Sequence, residues 1–375
     1  MFGKRVTLFR LFGFEVRLDA SWLIIAVLVT WSLAAGVFPY LYPGLPRETY
    51  WIMAVVGALG LFISIVVHEF SHSLVARRFG MPMKGITLFI FGGVAEMGDE
   101  PPTARAEFLM AIAGPVTSLA IAGLFFLIYR LGGQLGWQAP VNAVIYYIAS
   151  INGILAAFNL MPAFPLDGGR MLRAILWGYK DDLRWATRIS ATVGAAFALG
   201  LMFVGILQFI GGNLIGGMWL VLIGMFLRNA AQTSYQQLLV RKALEGEPVR
   251  RFMVSDPITV PPQLTVRQLV EDYILIQQHR MYPVMEGNNL VGLVSTRQVR
   301  EVPREVWDQR TVRDVLLPVS PANSIPPTMD AVQALAKMNQ SGFTRLLVVE
   351  NGRLMGLLTL KDLLDFFALK VELSS

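Results

Sequence analysis

Cysteine is absent from all 375 residues. Its absence excludes disulfides, thiolate metal sites and a cysteine nucleophile together. Charge is scarce: Asp, Glu, Lys and Arg make up 15% of the chain, against roughly 25% in an ordinary soluble domain. Only three histidines occur, so imidazole chemistry has few places to be. The first 19 residues lack an isolated apolar region with a small-residue cleavage site; Lys4, Arg5, Arg10, Glu15, Arg17 and Asp19 interrupt them, and no cleavable signal peptide is expected. What remains is 54% hydrophobic, with a mean hydropathy of +0.53. The net charge of +6 is no sign of a nucleic-acid partner, because the basic residues gather at the ends of apolar runs.

A hydrocarbon core of roughly 30 Å needs about 20 apolar residues of helix. Residues 20–42, 50–67, 108–129 and about 141–161 meet that requirement without a charge. Residues 189–227 are also uncharged but too long for one crossing; Gly211-Gly212-Asn213 and Gly216-Gly217 are turn signals that divide them into two. Lys and Arg alternate correctly across these six spans. One side collects Arg10, Arg17, Arg77, Arg78, Arg105, Arg170, Arg184 and Arg228 among others, whereas the opposite side has only Arg47 and Arg130. The positive-inside rule then puts both termini in the cytoplasm, at the cell membrane if the source is prokaryotic.

Residues 85–98 are β-branched and aromatic, with Gly92 and Gly93 paired, and read as a short strand or hairpin. Such backbone survives at membrane depth only against protein or a cavity. Beyond about residue 245 charges become frequent and an internal repeat appears: Glu286, Leu290, Gly292 and Leu293 recur 64 residues on as Glu350, Leu354, Gly356 and Leu357. The expected architecture is a polytopic α-helical membrane protein, six spans with a short hairpin over 1–240, followed by a soluble α/β pair over 241–375, its copies at about 250–305 and 312–370.

Two of the three histidines stand in His68-Glu69-Phe70-Ser71-His72. On a helix, positions i and i+4 share a face. Two imidazoles can therefore bind one zinc while the intervening glutamate reaches a metal-activated water. Ionisable groups at the end of an apolar helix are expensive and kept for function. A catalytic zinc site takes a third protein ligand, and His279 lies far off in the repeat. Asp167, in Asn159-Leu160-Met161-Pro162-Ala163-Phe164-Pro165-Leu166-Asp167-Gly168-Gly169-Arg170, is the leading carboxylate. Its prolines break the helix and its glycines permit tight turns. Glu96, Asp99 and Glu100 are weaker candidates, and a helix-ending turn near Arg170 is the bland alternative.

HExxH on one span with N-x-x-P-x-x-P-x-D-G after a later one resembles the site-2 protease family of intramembrane zinc metalloproteases, over roughly residues 1–230. The resemblance implies one zinc held by His68, His72 and Asp167, with Glu69 as the catalytic acid/base. It also implies a substrate or oxyanion role for Asn159 and a transmembrane protein substrate cut within regulated intramembrane proteolysis. Ala113-Gly114-Pro115 resembles the family's G-P element, though Ser118 stands where the family often has Asn. The 85–98 segment corresponds to a strand whose edge could hold an extended substrate.

The repeat resembles a tandem of cystathionine-β-synthase (CBS) domains. That resemblance implies regulation, an ATP- or AMP-type adenine nucleotide at Thr359 and Asp362, and a homodimer through the pair. Gln298 replaces the corresponding Asp in the first copy. Two other readings are a CBS-gated transporter and an inactive relative that binds transmembrane helices. A transporter predicts intramembrane charges along a path, whereas this chain gathers them at one site; the intact His68, Glu69, His72 and Asp167 argue against the inactive relative.

Overall fold

The computed structural model describes residues 5–11, 13–81, 83–89, 92–97 and 100–372. The chain divides into two compact units, Met1–Gln236 and Gln237–Ser375.

The first unit contains helices α1 (Trp22–Leu41), α2 (Arg47–Arg78), α3 (Ala104–Gln134), α4 (Ala139–Asn159), α5 (Asp167–Lys180) and α6 (Leu183–Ile210), and α7 (Leu214–Leu244) begins in it, its residues from Gln237 counting with the second. Among the described residues, all but α5 are long and apolar enough to cross a membrane. Their outer faces stay apolar, as at Val27, Ile52, Phe203 and Ile215, because hydrocarbon is the solvent there. α2 is the most enclosed: 39% of its most apolar window is buried, against 17–33% in the others. Local chemistry marks the helix ends. Thr103 Oγ1 accepts the Ala106 N–H at 3.1 Å to start α3, and Asp182 Oδ1 accepts the Trp185 N–H at 3.0 Å to start α6.

The α6–α7 turn falls at 211–213, with Gly212 at a φ of +93°. Gly216-Gly217, expected as part of that turn, instead belong to the first turn of α7. A Cβ on Gly217 would stand 2.5 Å from the Gly205 carbonyl oxygen, so the glycine lets two helices touch rather than bend.

Strands β1 (Arg5–Leu11), β2 (Phe14–Asp19), β3 (Met83–Phe89) and β4 (Gly92–Met97) form one sheet in that order. β3 and β4 are the expected hairpin. The β1–β2 hairpin was not expected. β2 joins β3 in parallel, with Glu15 opposite Gly85; there a Cβ would meet the Glu15 carbonyl oxygen at 2.5 Å, and φ is +150°. The Phe14 ring stands edge-on to Phe70 at 5.6 Å, which seats the sheet on the HExxH turn of α2.

In the second unit, helix α8 (266–277), with a π turn, precedes β5 (Met281–Glu286), β6 (Asn289–Ser295) and α9 (Thr296–Glu301). Then come α10 (Val312–Val315), β7 (Leu317–Pro318), β8 (Ser324–Ile325), α11 (Ala331–Ser341), β9 (Arg345–Glu350), β10 (Arg353–Thr359) and α12 (Leu360–Glu372). The sheets run β5-β6-β7 and β10-β9-β8, and Met281, Leu293 and Leu347 share one buried cluster between the copies.

Thr359 and Asp362 cap α12 reciprocally: Asp362 Oδ2 accepts the Thr359 N–H at 2.8 Å, and Thr359 Oγ1 accepts the Asp362 N–H at 3.2 Å. Ser295 and Gln298 form the same box at α9, so the Asp-to-Gln difference leaves the cap intact. Thr359→Ala is expected to cost about 1 kcal/mol of local stability, read as faster amide hydrogen exchange in the first turn of α12.

Candidate metal centre

α2 brings His68 and His72 onto one buried face, 3% and 8% exposed. α3 runs beside them and presents one stripe at a spacing of four residues: Met110, Gly114 and Ser118. Each member does one job. The Met110 carbonyl accepts from His72 Nδ1 at 2.7 Å. The Ser118 hydroxyl lies 2.8 Å from His68 Nδ1. Gly114 offers no side chain, and a Cβ there would stand 2.3 Å from His72 Nε2 and 2.5 Å from His68 Nε2. Ser118, whose role the sequence left open, is thus a partner of the first imidazole.

The third donor arrives on α5. Asp167 is its first residue, and its Oδ2 lies 3.1 Å from His68 Nε2 and 3.2 Å from His72 Nε2. Gly168 and Gly169 were expected to allow tight turns; they are helical, and their value is close approach. A Cβ on Gly168 would meet the Leu160 carbonyl oxygen at 2.3 Å, and one on Gly169 the Phe164 nitrogen at 2.2 Å. Gly194 of α6 closes on the Phe164 carbonyl in the same way. The proline-rich loop is held between three glycines, which places the carboxylate.

This donor set fits a zinc ion. The two imidazole nitrogens and the carboxylate oxygen lie within 4.8 Å of one another. Because a carbonyl can only accept, the neutral His72 ring carries its hydrogen on Nδ1, leaving a lone pair on Nε2. That atom is buried without a hydrogen-bond partner. A lone pair facing a carboxylate oxygen is repulsive unless a cation stands between them. With no side chain at position 114, nothing from α3 crowds the two Nε2 atoms, which a Cβ there would meet at 2.3 Å and 2.5 Å.

Glu69 is not one of the three donors. Among the described residues its carboxylate takes no hydrogen bond or ion pair, and its charged neighbours are His72, His68, Asp167 and Arg170. Gly93 of β4 backs it: a Cβ there would meet Glu69 Cγ at 2.6 Å. Gly93→Ala is therefore expected to displace the carboxylate and slow turnover by roughly 10²-fold with metal content unchanged, as measured by cleavage rate and zinc analysis together.

The weaker third-ligand candidates fall elsewhere. Glu100 pairs with Arg173 at 3.2 Å, while Asp99 and the Glu96 side chain lie outside the described residues. Asn159, in the last turn of α4, donates from Nδ2 to the Leu155 carbonyl at 3.0 Å and is not brought into the donor cluster. Sequence reasoning missed the aligning roles of Met110 and Gly114; the four-residue spacing that joins them to Ser118 was the available signal.

A metal-dependent peptidase set among membrane-spanning helices is the class this fold and this donor set define. The family model Peptidase family M50 matches residues 56–136 and 130–201, and the CBS domain model matches 249–305 and 312–369. The chain is 35% identical over 369 residues to Rip3 of Mycobacterium tuberculosis, covering 97% of this chain and 94% of that protein. It is 29% identical to MJ0392 of Methanocaldococcus jannaschii over 98% of each chain. Both are named as zinc metalloproteases. Among solved structures, the site-2 protease from Methanocaldococcus jannaschii matches at 29% identity with a TM-score of 0.43, over 61% of this chain and 94% of that one. The chain belongs to peptidase family M50, the site-2 proteases, and carries two CBS domains.

Proposed function

We propose that His68, His72 and Asp167 hold one zinc ion, and that the chain hydrolyses a peptide bond in or beside a transmembrane segment of another protein. The observation that carries this is the convergence of three donor atoms within 4.8 Å of one another, two of them facing the side-chain-free Gly114. Zinc, when bound, supplies Lewis acidity and lowers the pKa of water to about 7. Glu69, beside the first ligand and with no hydrogen bond or ion pair to its carboxylate among the described residues, takes the proton of the attacking water and returns it to the leaving amine. Asn159 serves as a donor to the substrate oxyanion by releasing its bond to Leu155. An apolar cleft of about 300 Å³, lined by Trp22, Phe62, Leu88, Phe89, Leu166 and Trp219 among others, suits an apolar substrate segment, and β4 offers a strand edge for extended backbone.

The test is cleavage of a transmembrane substrate in proteoliposomes. A chelator should abolish it, and zinc at one equivalent should restore it. Persistent cleavage in metal-free protein would overturn the reading.

Residues 1–240 form the catalytic part and 241–375 a cytoplasmic regulator, in the setting of regulated intramembrane proteolysis. The lack of cysteine makes orientation testable: Tyr179→Cys should be labelled only from the cytoplasmic side and Leu135→Cys only from the other, both positions being well exposed. An ATP- or AMP-type nucleotide binds the CBS pair at Thr359 and Asp362, and the pair joins two chains as a homodimer. Charge supports an anion there. Burial first, and the like charge of Arg280 second, hold the Arg345 guanidinium below its ordinary value, with Asp362 nearby. Calorimetric titration of adenine nucleotides at millimolar concentration tests this; absence of heat would leave the pair a steric regulator.

A further inference from the structure

One buried ion pair takes no part in the chemistry described above. Glu107 on α3 is 0% exposed and Arg173 on α5 is 5% exposed. Arg173 Nε donates to Glu107 Oε1 at 2.6 Å, and Nη2 makes a second contact with the same oxygen. Nη2 also reaches Glu100 Oε2 at 3.2 Å. The guanidinium lies over the Phe164 ring, 5.2 Å from its centroid.

Removing two charges from water is costly, and hydrophobic replacements of buried pairs are often neutral or better for stability. Stability alone is therefore a poor account of this pair, and its position offers a better one. Glu107 stands on the same α3 stripe as Met110, Gly114 and Ser118, one turn ahead of the carbonyl that orients His72. Arg173 stands six residues after Asp167 on α5. Phe164, beneath the guanidinium, belongs to the loop packed against Gly169 and Gly194. The pair thus joins the helix that aims both imidazoles to the helix that carries the carboxylate, and touches the loop between α4 and α5.

We propose that the Glu107–Arg173 pair is a positioning device for the third metal ligand, setting α5 against α3 so that the Asp167 carboxylate closes the site formed by His68 and His72. This rests on the reading that those three residues hold zinc. Partners that orient metal ligands typically matter by roughly 10–100-fold in metal affinity, and the same is expected here although the pair acts through helices rather than by touching a ligand.

The test uses the full chain in nanodiscs. Arg173→Met alone strands a buried carboxylate and is expected to destabilise the protein. The double variant Glu107→Gln/Arg173→Met removes both charges, so its metal-free melting temperature should return toward wild type. Its zinc dissociation constant, measured by chelator competition, should nonetheless stay weakened by roughly 10–100-fold. The visible spectrum of its cobalt-substituted form should shift toward that of Asp167→Ala. Glu107→Gln alone, which keeps an acceptor for the Arg173 Nε–H, is read in the same assays and should fall between. A double variant, or Glu107→Gln if the double variant does not fold, with wild-type zinc affinity and a wild-type cobalt spectrum would overturn the proposal. Absence of zinc from the wild type would overturn the metal reading itself, and this inference with it.

Discussion

Glu69→Gln is expected to lower cleavage by about 10²–10⁴-fold while the chain keeps its zinc. The change is nearly isosteric and removes only the capacity to take a proton. His68, His72 and Asp167 supply the converging donor atoms and Glu69 does not, so metal content has no reason to fall. The loss corresponds to about 3–5 kcal/mol of barrier. Asp167→Ala provides the contrast: it removes the oxygen that stands 3.1 Å and 3.2 Å from the two imidazoles, and metal and turnover should disappear together. Initial rates on a reconstituted transmembrane substrate, with zinc counted on the same samples, check both. Full activity in Glu69→Gln would remove Glu69 from the mechanism; loss of zinc from it would make Glu69 a ligand.

Gly114→Ala should abolish zinc binding, and activity with it, while leaving the helix intact. The added methyl would sit 2.3 Å from His72 Nε2 and 2.5 Å from His68 Nε2, so both donor atoms would be pushed from their places. The rings have little room to turn away. One is tied through Nδ1 to the Met110 carbonyl and the other to Ser118. Alanine in a helix interior is favoured over glycine by about 1 kcal/mol, but crowding two tethered rings costs about 1–3 kcal/mol, so the metal-free protein should melt modestly lower than wild type. Zinc analysis and thermal melting of the reconstituted variant check this; a full complement of zinc would show that the donor atoms do not need a bare backbone at position 114.

These two substitutions differ in how readable they were. Glu69 stands inside a five-residue motif, and helical spacing alone puts its flanking imidazoles on one face. Gly114 looked like part of a G-P element, and nothing local said that its missing side chain faces two nitrogens 42 and 46 positions away in the chain. The same division runs through the fold. The six spans could be read because hydrocarbon thickness acts on each apolar run separately. The β1–β2 hairpin was not expected, although Phe14, Val16 and Leu18 alternate with Glu15, Arg17 and Asp19; its sheet partner β3 lies some 70 residues on. α5 was hidden by Gly168-Gly169, which local rules read as a turn. They are helical instead, and they lie against the Leu160 and Phe164 backbone where no side chain would fit.

What the amino-acid order determined by itself is whatever depends on near neighbours: the membrane class, the paired histidines with their glutamate, the proline-broken segment carrying Asp167, and the repeat. Only the tertiary structure decided that Asp167, rather than Glu100, meets the histidines. Only it decided that Ser118 and Met110 aim those rings, and that Glu107 and Arg173 join their helices. The reason is physical. A coordination site is a matter of tenths of an ångström between atoms on different helices, and that separation is set by how glycines let those helices approach, which no single stretch of chain contains.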